Sequence, residues 1–143
     1  MRSMILTLLL FGAQSLSAEQ PDPQAIPKPL PEKVVKAWKE AGAVVGWMKV
    51  QDSGVLAFSE KPEPGAIPAF RFANWKDGVV PKLPPPDAPF GIDLAKTDVE
   101  DAGLKELAKF KTLTSLTLCE TKVTDAAVEA MRKVLPKCFI FHC

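Results

Sequence analysis

The sequence predicts an α/β fold. It is a short solenoid with a curved parallel sheet, outer helices, and an irregular helix-plus-hairpin cap at its N-terminal end. Three observations predict it. The segment IDLAKTDVEDAGLKEL, from Ile92, recurs as LTLCETKVTDAAVEAM from Leu116, with Ile92/Leu116, Leu94/Leu118, Thr97/Thr121, Val99/Val123 and Asp101/Asp125 each 24 residues apart. A fixed period in this range marks stacked coils, each burying its apolar face only against its neighbours. Ahead of the repeat, two short apolar runs flank the turn-forming Asp52-Ser53-Gly54, the pattern of a hairpin. Before those, Val34, Val35, Trp38 and Ala41 fall on one face of a helix.

Taken in order, residues 1–18 read as a secretory signal. Arg2 supplies the positive start, Met4 to Ala13 the apolar stretch, and Ser15-Leu16-Ser17-Ala18 the small-residue exit. That apolar run falls short of the roughly 20 residues a membrane-spanning helix needs. Residues 19–31 form a proline-rich leader (PDPQAIPKPLP), an extended spacer by composition. Residues 32–68 form the cap. Its helix runs from Glu32 to Ala41, with Pro31 suited to the helix start and Gly42 to a left-handed stop. Strands follow over Ala43 to Val50 and through Val55, Leu56 and Phe58. Residues 69–143 form the repeat region. A first strand around Phe70 and Phe72 leads into a proline-broken unit in which VVPKLPPPDAP replaces a helix. Two regular units follow, with strands at Gly91 to Ala95 and Ser115 to Cys119 and helices at about Asp101 to Phe110 and Asp125 to Leu135. A last strand through Phe139, Ile140 and Phe141 keeps the register, since Ile140 is 24 after Leu116.

The pattern L-x-L-x-x-T-x-V-x-D-x-x-L-x-x-L resembles the leucine-rich repeat, in the variant of exported bacterial proteins whose turns read T-x-V-T-D. Thr121, Val123, Thr124 and Asp125 carry that turn in the second unit; the first has Glu100 where the second has Thr124. The resemblance covers about Phe90 to Cys143, with weaker support from Phe70. It implies a curved solenoid with a parallel strand ladder inside, and protein recognition through the concave strand face. About two regular units fall below the roughly three that usually make such an array stable, so the cap must supply the missing cover.

Strand side chains alternate between faces. With Ile92, Leu94, Leu116, Leu118 and Ile140 turned into the core, the exposed rows are Arg71, Asp93, Thr117, Phe141 and Gly91, Ser115, Phe139. The binding surface expected from this is Arg71, Asp93, Thr117, Phe139 and Phe141. Trp38, Trp47 and Trp75 are expected to pack in the core or cap. Beyond Phe141 the terminal strand leaves an open edge, where weak self-association is expected.

The chain holds 18 basic and 17 acidic residues. Removing the signal takes Arg2, leaving 17 of each, and the lysines are scattered among acids. Nothing resembles the basic stripe of a nucleic-acid binder. No later segment is long and apolar enough to cross a membrane, so the mature chain is expected in the periplasm or outside the cell.

Cys119 and Cys143 are 24 apart, which puts them at one height on neighbouring strands about 4.8 Å apart, within reach of a disulfide. Pairing of Cys138 with either of them, and unpaired thiols, stay open alternatives. The close C-x2-C spacings of a structural zinc site are missing, and no nucleophile stands beside an orienting base. No catalytic residue, metal or cofactor is therefore expected. The expected function is a non-catalytic protein-interaction module. One alternative is a redox- or metal-linked protein using Cys119, Cys138, His142 and Cys143. The other is a short repeat remnant with a structural role alone.

Overall fold

The computed structural model describes residues 28–143; the signal and most of the leader lie outside the described residues. Helix α1 (Glu32–Glu40) is followed by β1 (Ala43–Val50), β2 (Leu56–Ser59), β3 (Ile67–Phe72), β4 (Phe90–Asp93), α2 (Asp101–Leu107), β5 (Leu113–Thr117), α3 (Asp125–Val134) and β6 (Phe139–Phe141). The strands form one curled sheet in the order β2-β1-β3-β4-β5-β6. Strands β3 to β6 run parallel, whereas β1 is antiparallel to both β2 and β3. The sheet is thus mixed rather than parallel throughout. The cap hairpin is not a separate lid: β1 hydrogen-bonds to β3 over six residue pairs, as a direct reversal through a short loop permits.

Register follows the 24-residue period. Phe70 pairs with Ile92, Ile92 with Leu116 and Leu116 with Ile140. This column, with Leu94, Leu104, Leu107, Leu118, Val128 and Met131, makes the main core beneath the helices. The strands start one or two residues earlier than the periodicity predicts, and α2 ends at Leu107 instead of Phe110. Its end is a tight turn in which Phe110 N–H donates to Leu107 O while the Phe110 ring stays buried.

The turns repeat as faithfully as the strands. Thr97 Oγ1 donates to Leu94 O at 2.7 Å, and Thr121 Oγ1 to Leu118 O at 2.8 Å. Lys96 and Glu120 both adopt positive φ, 64° and 57°. The two strand–turn–helix units are also tied together by Asp101, at the start of α2. Its carboxylate accepts from Thr124 N and Thr124 Oγ1, both at 2.8 Å, while Thr124 caps α3 by accepting from Ala127 N–H. The Thr124 backbone bond, then its hydroxyl bond, holds the Asp101 carboxyl below its ordinary value. The acidic turn therefore joins coil to coil.

The N-terminal end of the core is closed by Trp38. Its fully buried indole stacks on Phe70 at 4.3 Å between centroids and meets Phe72, Phe90 and Phe110 obliquely. Its N–H donates to Pro84 O at 2.9 Å, which ties the proline-rich segment down. In that segment a 3-10 turn, Val80–Lys82, offers Val80 to the core in place of a helix. Leu30 is also buried there, so the last residues of the leader are anchored rather than a free spacer.

Truncating Trp38 removes the plug and its hydrogen bond together. Trp38→Ala should lower the unfolding free energy by about 3–5 kcal/mol, measured by denaturant titration of the Trp47 and Trp75 fluorescence.

Candidate functional site

On the face away from the helices the rows stand as the period dictates. Arg71 pairs with Asp93, Asp93 with Thr117 and Thr117 with Phe141. The row beside it runs Gly46, Ala69, Gly91, Ser115 and Phe139, four small residues followed by one aromatic ring. This small-residue row lets large side chains lie across the sheet. A Cβ on Gly46 would sit 2.5 Å from the Phe58 ring, and one on Gly91 would sit 2.5 Å from Met48 Sδ. Met48 of β1 thus reaches two strands over, onto β4, which the curl of the sheet makes feasible.

A second, smaller core results: Met48, Leu56 and Ala69 are buried, with Phe58, Ile67 and Phe141 packed against them. The concave face is therefore not the open ladder that strand alternation predicts. Asp93 is 5%, Thr117 6% and Ser115 8% exposed, because curling brings the hairpin and Phe141 towards each other over these small side chains. Of the five predicted binding residues, Arg71 and Phe139 remain exposed and Phe141 is half-buried. Sequence reasoning missed Met48, Leu56 and Phe58. The signal for them was the alignment of Gly46 with Gly91, which pointed to something lying above.

Asp93 is held from two sides. Arg71 Nε donates to its Oδ2 at 2.9 Å, and Ala95 N–H to its Oδ1 at 3.0 Å. The Arg71 guanidinium lies over the Phe58 ring, 4.3 Å from the centroid, a cation–π contact that fixes its plane. Since the Arg71 side chain is 47% exposed, the pair adds little stability by itself. It does present an oriented cation on β3, three strands across the same face from the exposed Phe139 ring on the edge strand β6. Beside Phe141 the Thr117 hydroxyl is buried and has no hydrogen-bond partner among the described residues.

The Sγ atoms of Cys119 and Cys143 lie 2.01 Å apart, at disulfide distance. Bridging residues separated by 24 positions stabilises by about 3–4 kcal/mol through restriction of the unfolded chain. Cys138 is a buried free thiol, and burial pushes it up to about 12. His142 Nδ1 lies 3.2 Å from Asp125 Oδ1. Among the described residues, no three His, Cys, Asp or Glu side chains gather as a metal-binding set, and no helix is long and apolar enough to cross a membrane.

At the sheet edge, β6 turns the Ile140 backbone outward, as follows from the pairing of its neighbours Phe139 and Phe141 with β5. Arg132 Nη2 lies 3.5 Å from Ile140 O, so a long, charged side chain stands where a further strand would pair. This is a common way of blunting an edge, and it opposes the self-association that the terminal strand suggests.

Two predictions follow from these contacts. The folded chain keeps the Cys138 proton to about 12, against 9.0 for an ordinary thiol. An unfolded chain therefore gives it up first, and stability falls as pH rises from 9 towards 12. Urea titrations across that range should show the Cys138 share of this slope vanish in Cys138→Ala. Arg132→Ala should unmask the Ile140 carbonyl and yield a concentration-dependent dimer in sedimentation velocity, where the parent chain stays monomeric. Comparison of the chain with protein-family models, with curated proteins and with solved structures returns no match.

Proposed function

We propose that this protein is an exported, non-catalytic interaction module, a short leucine-rich-repeat-like solenoid that engages a protein partner along its concave side. What carries this reading is the presentation of two unlike anchors on one face of a curled sheet. Arg71 on β3 is oriented by Asp93 and Phe58. Phe139 on the edge strand β6 has 44% of its surface open to solvent. Arginine and aromatic side chains are the types that dominate protein–protein recognition, and the Arg71 guanidinium is already held in place. The matched turns and in-register strands support the repeat resemblance. Export is supported by the signal-like N-terminus and by the Cys119–Cys143 pair, which suits an oxidising compartment.

The test is affinity capture from the exported fraction of the source cells with the mature chain, alongside Phe139→Asp and Arg71→Glu. Phe139 is exposed, whereas Arg71 also neutralises the buried Asp93 carboxylate, so thermal melting of each variant is the control for the fold. Each change should reduce recovery of the same partner by about tenfold or more. Identical recovery by all three proteins would overturn the concave-face reading.

A further inference from the structure

We propose that the Cys119–Cys143 bridge is a reducible latch, holding β6 and its Phe141 over the Asp93–Thr117–Ser115 floor until reduction lets the strand lift. Strand β6 has three residues and is paired on one side only. Phe141 stands opposite Thr117, and the bridge joins the two chains two residues further along each. It is thus placed to hold the rung that Phe141 occupies. Between the rung and the bridge, Leu118 N–H donates to Phe141 O at 2.8 Å.

Three further observations make the closed state poised rather than permanent. The Thr117 hydroxyl beside Phe141 has no partner among the described residues, and a buried polar group without one favours any state that returns it to water. Phe141 is only half-buried, so its hold on the Met48 cluster is partial. Finally, Cys143 is exposed and Cys119 half-exposed, so an incoming thiolate can reach the bridge. The remaining thiol, Cys138, is buried and out of the exchange.

The opening reaction is a thiol–disulfide exchange with a dithiol reductant. A reductant thiolate attacks one bridge sulfur, and the Cys119–Cys143 bond breaks as a mixed disulfide forms. The second reductant thiol then resolves it. Cys119 and Cys143 end as thiols and the reductant as a disulfide, with two electrons and two protons transferred. Once β6 lifts, the floor of small residues, the Arg71–Asp93 pair and the free edge of β5 face solvent together. The latch rests on the interaction-module reading only for what would then bind there; the opening itself needs no partner.

Hydrogen exchange of the purified chain, with and without excess dithiothreitol, tests the opening. The double variant Cys119→Ser/Cys143→Ser serves as a constitutively unlatched form. On reduction, amide protection at Leu118, Phe139 and Phe141 should fall by about tenfold or more, while β1, β3 and β4 keep theirs. Reoxidation should restore it, and the double variant should exchange as the reduced chain does with no response to reductant. Unchanged protection at these amides would overturn the latch. So would a uniform loss across all strands, which would make the bridge a staple of the entire fold. Partner capture by Phe139→Asp bears on the docking reading alone, so the two ideas fail separately.

Discussion

Phe70, Ile92, Leu116 and Ile140 stand in one column across four parallel strands, and the placement of every other group depends on that column. Each residue is buried at 6% exposure or less. A slip of one residue in β4 or β5 would send its column member to the concave face and bring a polar neighbour such as Asp93 or Thr117 beneath the helices. The cost of burying those polar groups there fixes the register. Because the column is fixed, the turns after β4 and β5 begin at the same height. Leu94 and Leu118 then enter the core together, and α2 and α3 pack side by side on the outer face.

The two faces of the sheet answer to different demands. The helix side is filled by large aliphatic and aromatic groups around Trp38. Among the described residues no helix covers the concave side. It is closed instead by reach: Met48 and Phe58 extend inward from the hairpin, and Phe141 from the last strand. Only glycine, alanine and serine beneath leave the necessary room. The hairpin therefore does more than terminate the sheet. It supplies one wall of a trough whose other wall is the C-terminal strand.

Much of this was legible in the sequence, because a period of 24 residues repeated over strand, turn and helix leaves few ways to stack. The neighbourhood of Cys119 and Cys143, the partners of Arg71, Asp93 and Phe141, and the glycine stop after α1 all follow from spacing and local chemistry. The burial of Asp93 and Thr117 was not legible. Alternation assigns a side chain to a face but says nothing of how sharply the sheet curls, and the curl decides whether that face meets solvent or meets Met48. The second role of the acidic turn was hidden for a similar reason. Asp101 reads as a helix-start residue, while its actual partners lie one coil later at Thr124. The mixed character of the sheet was not legible either, because spacing and turn chemistry identify a hairpin closing one end of the sheet but not which strand hydrogen-bonds to it, which is β3.

Lys96 and Glu120 occupy the left-handed region at equivalent places, where a side chain other than glycine costs about 1–2 kcal/mol. In each case a threonine hydroxyl one residue on closes the same loop onto the carbonyl of the preceding leucine. The corner and its threonine fastening thus recur within each unit, while Lys96 N–H also reaches across to Cys119 O of the next. Duplicating such a unit in tandem would carry its own geometry along, and the array would lengthen without any new corner having to be invented.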